Sequence, residues 1–365
     1  MLILVVAGDP SGDLHASHLI AALKKGGATV AAVGGPLMKA QADEFLEDLA
    51  SRGVTGFWEP VLKLPFMYKL AMRLKRFMQE RRPVAVVCVD YYGFNRRVLG
   101  LAKTVGVPAY YFISPQVWAS RPGRVGVLKR LVRRMLVIFP FEKTVYERAG
   151  VPCEFVGHPL LDVVPEPRHK ELAATPLKVG LLPGSRRSEV SRHLPILAEG
   201  ARLLRRHFPQ MTVQVFAAAS LPDEAYRVDG AEIVRETDYS ARRELDIALC
   251  SSGTATLENA LLGVPMVVVY KMSWITYRVA KAIIRVPYIA MANILAGKRL
   301  APELIQRDAN PERVASAAVR LLEDPRRYAQ TRRELLAIRE SLGKPGAAAR
   351  AAEVLLSELR PGVRA

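Results

Sequence analysis

The chain has 365 residues, half of them hydrophobic, which is enough for two domains with sizeable cores. Its formal net charge is +18, from 53 Lys and Arg against 35 Asp and Glu, and this excess favours an anionic partner such as a phosphorylated substrate or a membrane surface. Zinc-finger spacing, an RNP-like motif and a long basic tail are all missing, so nucleic acid is the weaker option.

The predicted compartment is the cytoplasm. Cys88, Cys153 and Cys250 lie far apart in apolar runs, which is typical of buried thiols in a reducing environment and not of disulfides or a metal site. The opening MLILVVAGD lacks the basic leader of a signal peptide. No apolar stretch approaches the ~20 residues that a membrane span needs.

Short β-rich runs alternate with helical stretches, a pattern typical of parallel sheets covered by helices on both faces. The predicted strands are residues 2–6, 30–33, 84–89, 109–112, 134–138 and 154–156, and then 178–182, 212–217, 232–234, 247–250 and 266–269. Residues 163–178 are rich in Pro and charge, which indicates a linker. We therefore predict an α/β protein of two Rossmann-like, doubly wound domains that face each other across a cleft. The domains span 1–166 and 167–339, and a C-terminal helix, about 340–365, is a candidate to pack back on the first.

The first strand runs into the Gly-rich loop AGDPSGD. Its G-x-x-x-G spacing fits neither the G-x-G-x-x-G of a dinucleotide fold nor the G-x-x-x-x-G-K-[ST] of a P-loop. Asp9 and Asp13 would also repel a phosphate. We therefore expect Asp13 and His15 to serve sugar hydroxyls or proton handling, not a nucleotide.

Residues 56–82 contain an amphipathic stretch. Phe66, Leu70, Leu74 and Phe77 recur at helical spacing between basic residues, which suits an interfacial helix on anionic lipid. The alternative is that this apolar stripe packs on the protein's own core, as it does in most amphipathic helices. We expect membrane docking.

In the second half, LLPGSRRSEV reads as a strand, a turn and the start of a helix. Gly184 lets the backbone approach a ligand closely, Ser185 and the helix start offer donors, and Arg186 supplies charge. The turn therefore predicts a diphosphate site. The alternative is an ordinary strand-to-helix turn with surface arginines.

A second loop of this kind lies in SSGTATLE. Ser252, Gly253 and Thr254 stand at a predicted helix start, where N–H and hydroxyl groups can bind an anion. Glu258 follows one turn later, and a carboxylate there suits a ribose diol. Together the two loops predict a nucleotide-diphosphate site in the second domain. No D-x-D motif and no His/Cys cluster with metal-ligand spacing occurs, so neither a metal nor another cofactor is predicted.

The chain resembles the lipid-A-disaccharide synthases, which are inverting glycosyltransferases of the two-domain GT-B type. The similar stretches are AGDPSGDLHASHLI, VGGPLMKAQ, VDYYGFNRRV, YYFISPQVWASRPGRV, FPFEKTVYERAGVPCEFVGHPLLD, LLPGSRRSEV, SSGTATLENALLGVPMVVVYKMS and VPYIAMANILAGKRLAPELIQ. They occur in this order across residues 7–306, which makes the resemblance specific.

The resemblance implies metal-independent transfer of 2,3-diacylglucosamine from its UDP carrier to 2,3-diacylglucosamine 1-phosphate, with a β-1,6-linked disaccharide and UDP as products. It places the donor in the C-terminal domain, in agreement with the two loops, and adds Asn293, Glu303 and Gln306 to the donor pocket. For Glu303 and Gln306, an exposed helical face is the alternative. The acylated substrates imply a protein on the inner face of the cytoplasmic membrane, and a homodimer is a candidate assembly.

Inversion requires a base that removes the proton of the acceptor hydroxyl. The family often places an Asp for this role in D-x-x-D-F-N, but here the stretch is DYYGFN, with Gly93 at the second Asp. We rank Asp90 first as the base, then Asp13, then His15. Each of them could instead be a structural cap or a hydrogen-bond anchor.

Two other functions stay open on the sequence alone. One is a sugar-nucleotide epimerase of the same architecture, and the other is a lipid- or nucleotide-binding protein without catalysis, which Gly93 makes worth testing. A related acylated amino-sugar acceptor, the acyl-chain length and the oligomeric state stay open as well.

Overall fold

A computed structural model describes residues 1–51, 64–120, 123–168, 171–172, 176–284 and 286–360. The chain divides into two units. The first is Met1–Pro159 with Leu342–Ala365, and the second is Leu160–Ser341. The boundary expected at 166/167 thus falls after Pro159.

The first unit is built on a parallel sheet. Its strands are β1 (Leu2–Ala7), β2 (Thr29–Gly34), β3 (Glu44–Asp48), β4 (Ala85–Val89), β5 (Ala109–Phe112), β6 (Arg134–Val137) and β7 (Cys153–Phe155). Its helices are α1 (Pro10–Lys25), α2 (Pro36–Gln41), α3 (Leu64–Arg81), α4 (Tyr92–Val105), α5 (Val117–Ser120), α6 (Gly123–Leu131), α7 (Pro140–Arg148) and, from the end of the chain, α14 (Ala347–Leu359). The strand order is β3-β2-β1-β4-β5-β6-β7. The sequences LILVVA and AVVCV of β1 and β4 are apolar throughout, as strands buried on both faces require.

The second unit repeats this architecture. Its strands are β8 (Lys178–Leu182), β9 (Thr212–Phe216), β10 (Glu232–Val234), β11 (Ile247–Ser251), β12 (Met266–Tyr270) and β13 (Glu303–Ile305), in the order β10-β9-β8-β11-β12-β13. Its helices are α8 (Arg187–Leu204), α9 (Thr254–Leu261), α10 (Trp274–Ile283), α11 (Met291–Ala296), α12 (Pro311–Leu322) and α13 (Pro325–Ser341). The prediction of two Rossmann-like α/β domains is confirmed.

In each sheet the strand order reverses direction at one point, between β1 and β4 in the first unit and between β8 and β11 in the second. In doubly wound sheets, ligands bind outside the carboxyl ends of the strands at such a switch point. Register brings the two strand ends together, because Ala7 pairs with Val89 and Leu182 pairs with Cys250.

Helix α14 belongs to the first unit and packs on α1, where the Leu356 side chain lies so close to Gly26 that a β-carbon there would clash. The Glu358 carboxylate anchors the helix to the sheet, since it accepts a hydrogen bond from the Tyr110 hydroxyl at 3.0 Å and pairs with Arg134.

Helix α3 places its apolar stripe in the core of the first unit, not on a membrane. Leu70, Leu74 and Phe77 are buried in the same cluster as strand residues, and Phe66 packs half-buried against it. The predicted membrane-facing stripe is therefore wrong, because the sheet needs this face of the helix as cover. Residues 56–63 of the predicted segment lie outside the described residues. Within the described part of the chain, every helix is too short or too polar to cross a bilayer.

Candidate active site

The two loops predicted for phosphate meet at the switch point of the second unit. They border one cavity of about 590 Å³, which lies at the carboxyl ends of β8 and β11. The predicted residues that line it are Gly184, Ser185, Arg186, Ser252, Gly253, Thr254 and Glu258. Loops far apart in the sequence thus form one site, as the fold requires of neighbouring strand ends.

Gly184 is required by the shape of the first loop. Its φ of +117° lies in a region that residues with a side chain rarely adopt, and a β-carbon there would come within 2.7 Å of the Glu189 carboxylate. Glu189 accepts the N–H groups of Ser185 and Arg186 and pairs with the Arg186 guanidinium at 2.9 Å. The loop is therefore held by its own carboxylate, while the Arg186 side chain stays exposed beside the cavity.

The second loop opens α9. Its N-cap is Gly253, which makes no side-chain capping bond, and a β-carbon at this residue would meet nothing within 4 Å. The first N–H groups of a helix have no partner within the helix, so they are available to an anion here. The Ser252 hydroxyl donates to the carbonyl of Ile289 at 2.9 Å, which ties the loop to the chain before α11.

Asn293, Glu303 and Gln306 support the site without lining its cavity in the described part of the chain. The buried Glu303 carboxylate accepts the N–H groups of Ile289 and Ala290 and an amide N–H of Asn293. The side-chain amide of Gln306 bonds to both backbone groups of Met272.

The polar groups satisfy one another and hold the backbone that receives Ser252, which gives them an anchoring role. Their direct contact with the donor stays a prediction. The alternative of an exposed helical face is wrong, because Glu303 begins β13 and is buried, and Gln306 follows that strand.

His193 joins the two sides of this site. Its Nε2 accepts the N–H of Lys271 at 3.0 Å, so the neutral ring carries its proton on Nδ1, which donates to the carbonyl of Pro183 at 3.1 Å. Burial lowers the pKa of His193 and favours this neutral form. The imidazole therefore fixes the residue just before Gly184 relative to the end of β12.

Three residues that the sequence did not indicate lie at Glu258. Tyr239 donates its hydroxyl to the Glu258 carboxylate, and Arg242 pairs with both Glu258 and Glu236. They lie in the segment between β10 and β11, which carries no recognisable motif. Their position after the carboxyl end of a predicted strand was the available signal.

At the switch point of the first unit, Asp9 and Asp90 lie at the ends of neighbouring strands. Asp9 is the N-cap of α1 and accepts the N–H of Gly12 at 2.6 Å. Burial, with a smaller contribution from the charge of Asp9, raises the pKa of Asp90 to about 6. Burial also raises the pKa of Asp9. A carboxyl group that ionises near neutral pH is suited to accept a proton from a hydroxyl.

The backbone at Asp90 is strained. Asp90 and Tyr91 both have positive φ, at 47° and 35°, a conformation that side chains disfavour and that concentrates at functional sites. The Asp90 carbonyl accepts hydrogen bonds from the Asn95 amide, at 2.8 Å, and from the Tyr111 hydroxyl. A β-carbon at Gly93, three residues after Asp90, would meet nothing within 4 Å.

Asp13 has a structural role instead of the predicted catalytic one. It is buried in α1, and its carboxylate accepts the N–H groups of Gly35, Leu37 and Met38 at 2.8, 3.1 and 3.0 Å. These groups are the start of α2, where N–H groups lack helical partners. We therefore no longer consider Asp13 as the base.

His15 is half-buried two residues after Asp13 in α1. Burial, and next the charge of His15, lowers the pKa of the buried His158 to about 3. A second buried carboxylate, Glu142, accepts bonds from the Ser114 hydroxyl at 2.6 Å and the Trp118 indole at 3.0 Å. Burial raises the pKa of Glu142 to about 7. The sequence singled out neither His158 nor Glu142.

Comparison with other proteins identifies relatives along nearly the whole chain. The family model described as LpxB, lipid-A-disaccharide synthetase, matches residues 3–356. The lipid-A-disaccharide synthase of Geobacter metallireducens is 42% identical over 372 residues, which cover 98% of this chain and 97% of that protein. The lipid-A-disaccharide synthase of Syntrophus aciditrophicus is 41% identical, with 98% of each chain covered.

Solved structures share the fold at low identity. MurG of Acinetobacter baumannii has a TM-score of 0.63 at 17% identity, over 98% of this chain and 99% of that one. CalG4, the calicheamicin glycosyltransferase, has a TM-score of 0.64 at 18% identity, over 100% and 99%. A UDP-GlcNAc 2-epimerase from Neisseria meningitidis, bound to UDP-GlcNAc, has a TM-score of 0.63 at 14% identity, over 98% and 100%. These likenesses confirm the predicted fold class, and the match to the family model and to the two synthases shows that the chain belongs to the lipid-A-disaccharide synthetase family.

Proposed function

We propose that this protein transfers 2,3-diacylglucosamine from its UDP carrier to 2,3-diacylglucosamine 1-phosphate, forming a β-1,6-linked disaccharide 1-phosphate and UDP. The observation that carries this proposal is the family match over residues 3–356, combined with a cavity at a switch point that is lined by phosphate-type loops. The positive net charge of +18 suits two substrates that carry phosphate.

We assign the UDP-sugar donor to the cavity of the second unit. The open N-terminus of α9 at Gly253 and Thr254 would face the diphosphate, with Arg186 as the nearby cation. These groups would also stabilise the charge that develops on UDP as it leaves. Glu258, one turn into α9, would accept the ribose hydroxyls.

We assign the general base to Asp90. The 6-hydroxyl of the acceptor attacks the anomeric carbon of the donor, its proton passes to the Asp90 carboxylate, and the bond from that carbon to the UDP oxygen breaks. The buried environment and the neighbouring Asp9 favour this transfer because they raise the pKa of Asp90 to about 6. Gly93 leaves the usual acidic position of the family without a carboxylate, and Asp90 would take its place.

The acylated substrates lead us to place the enzyme on the inner face of the cytoplasmic membrane. The outer face of α3 supports this, because Leu64, Tyr68 and Met72 are exposed at every fourth residue, next to the exposed Lys69 and Arg76. The protein should bind vesicles rich in anionic lipid at low salt, and replacement of the three exposed apolar residues by Ser should weaken this binding. If wild-type protein does not bind such vesicles, the proposed membrane location is wrong.

One assay tests the proposed reaction. The protein is incubated with the diacyl donor, with and without the diacyl 1-phosphate acceptor, and UDP and disaccharide are measured together. We expect both products in equal amounts and only when the acceptor is present. UDP or an epimerised sugar without acceptor would favour the epimerase, and tight binding without any product would favour a binding protein.

A further inference from the structure

Arg242 is enclosed between two carboxylates at one end of the donor cavity. It begins a short 3-10 helix, Arg242–Glu244, between β10 and β11, and only 13% of its side chain is exposed. Its Nε lies 2.9 Å from a carboxylate oxygen of Glu236, and its Nη1 pairs with an oxygen of Glu258. Its backbone N–H also donates to Glu236, at 2.7 Å.

Aromatic rings fix the guanidinium in this place. It lies 5.1 Å from the ring centre of Tyr239 and 5.5 Å from that of Phe216. Tyr239 also donates its hydroxyl to the other oxygen of Glu258, at 2.9 Å. Glu258 is therefore held from two directions, with Arg242 on one carboxylate oxygen and Tyr239 on the other.

This arrangement leaves Glu258 able to bind more donors. Each carboxylate oxygen has two acceptor positions, and the contacts with Arg242 and Tyr239 use one on each. Two carboxylates around one guanidinium also leave a net negative charge, which repels phosphate but attracts hydroxyl donors. The cluster therefore suits a vicinal diol and not the diphosphate.

Without Arg242, Glu236 and Glu258 would face each other with no cation between them. Burial, opposed by Arg242 and reinforced by the charge of Glu258, already raises the pKa of Glu236. Two neighbouring carboxylates without a cation favour sharing a proton, and a protonated oxygen no longer accepts a hydroxyl hydrogen.

We propose that Arg242 and Tyr239 are positioning residues that orient the Glu258 carboxylate for the ribose hydroxyls of the donor. They would thereby make the site select ribonucleotides over 2′-deoxyribonucleotides. This inference rests on the proposed donor site, and it assigns to this chain two residues outside both phosphate-type loops.

The test compares the affinities of UDP and 2′-deoxy-UDP by titration calorimetry. We expect wild-type protein to prefer UDP by about tenfold or more, the effect of one hydrogen bond to a charged acceptor. Arg242→Met should reduce this preference to about twofold or less, Arg242→Lys should restore part of it, and Tyr239→Phe should reduce it to an intermediate value. Arg202→Met is the control, because Arg202 pairs with Glu199 on the exposed face of α8 and lies outside the cavity lining.

The outcomes separate the two levels of the proposal. If wild-type protein binds no UDP, the proposed donor site fails. If UDP binds but wild-type protein shows no preference, or if Arg242→Met weakens both nucleotides equally, the positioning role is overturned. Thermal melting checks the fold of each variant, and Tyr239→Phe, which removes a single oxygen, decides the question if Arg242→Met does not fold.

Discussion

The two switch points of this protein lie between equivalent strands, but the groups at the helix starts beside them differ. In the first unit, the helix that follows the central strand is capped by Asp9, so a carboxylate already occupies the place where an anion would bind. In the second unit, the corresponding helix α8 has its N-cap at Arg186, and Glu189 accepts the N–H groups of that turn. Helix α9 follows the neighbouring strand β11 and has its N-cap at Gly253 without a side-chain capping bond, as does its counterpart α4 at Tyr91. We therefore propose that the fold determines where a ligand binds, and that the residues at these helix starts hold a carboxylate in the first unit and receive a phosphate in the second.

The same contrast extends to charge. Asp9 and Asp90 are half-buried at the ends of neighbouring strands, and burial raises the pKa of both carboxyl groups. The charge of Asp9 adds to this effect at Asp90, whose pKa rises to about 6. Around the cavity of the second unit, the carboxylates Glu189, Glu236 and Glu258 are each paired with an arginine. This difference supports our proposal that the first switch point transfers the proton and the second binds the donor.

The largest effect on turnover should come from a substitution at the first switch point. Asp90→Asn should lower kcat by about 100-fold or more, because it removes the proton acceptor while keeping the size of the side chain. The UDP dissociation constant should stay within about twofold of wild type, since the proposed donor site lies in the other unit. Asp43→Asn, a surface change in the first unit, is the control. Near-normal turnover in Asp90→Asn would remove Asp90 from the role.

A substitution at the second switch point should change the affinity for UDP. Gly253→Ala adds a β-carbon that meets nothing within 4 Å in the protein but stands where the diphosphate would approach. We expect UDP affinity to fall by about tenfold with an unchanged melting temperature. Gly93→Ala, equally open but in the first unit, should leave UDP affinity unaffected. Equal losses of UDP affinity in the two variants would contradict the assignment of the donor site to the second unit.

The pH profile should report the raised pKa of Asp90. Because the base must be ionised, kcat/KM should rise with pH through about 6 and fall by about tenfold at pH 5 relative to its plateau. Asp9→Asn should move this acidic limb to lower pH, because the like charge that raises the Asp90 pKa is gone. If the acidic limb of the profile does not move in Asp9→Asn, the charge of Asp9 does not raise the pKa of the group that titrates.

The smallest effect on turnover should come from Asp13, although it lies on the same helix as Asp9. Asp13→Ala should lower the free energy of unfolding by about 1–3 kcal/mol, because the N–H groups of Gly35 and Met38, which are buried, and that of Leu37, which is partly buried, lose their acceptor. The kcat of the folded protein should stay within about threefold of wild type. Urea unfolding and activity measured on the same sample check both, and a large loss of kcat with full stability would restore Asp13 as a base candidate.

Most of the sheet architecture was predictable, because central strands such as β1, β4 and β11 are continuous apolar runs. The two strands that the sequence did not indicate are β3 and β13, at the outer edges of their sheets. The first has the sequence EFLED and is only half-buried, and the second has three residues. Edge strands need neither a fully apolar sequence nor length, so their local signal is weak.

The sequence likewise indicated some residues of the candidate site and not others. Gly184 and Gly253 were recognisable because a Gly-rich turn between a strand and a helix is a local pattern. Asn293 and Glu303 were correctly noticed as polar groups in an apolar stretch, but they bond to each other and to backbone groups that only the fold brings near. Arg242 could not be found from the sequence, because its role depends on contact with Glu258, which lies 16 residues further along the chain in another element.

The most direct test of the different roles proposed for the two switch points uses an acceptor whose 6-hydroxyl is replaced by a thiol. A thiol ionises with a pKa of about 8.5, so it needs far less help from a base than a hydroxyl. Asp90→Asn should therefore turn over the thiol acceptor at a rate close to that of wild type while its reaction with the natural acceptor stays at least about 100-fold slower. Gly253→Ala should raise the KM for the donor with both acceptors. Loss of both reactions to the same extent in Asp90→Asn would contradict the account.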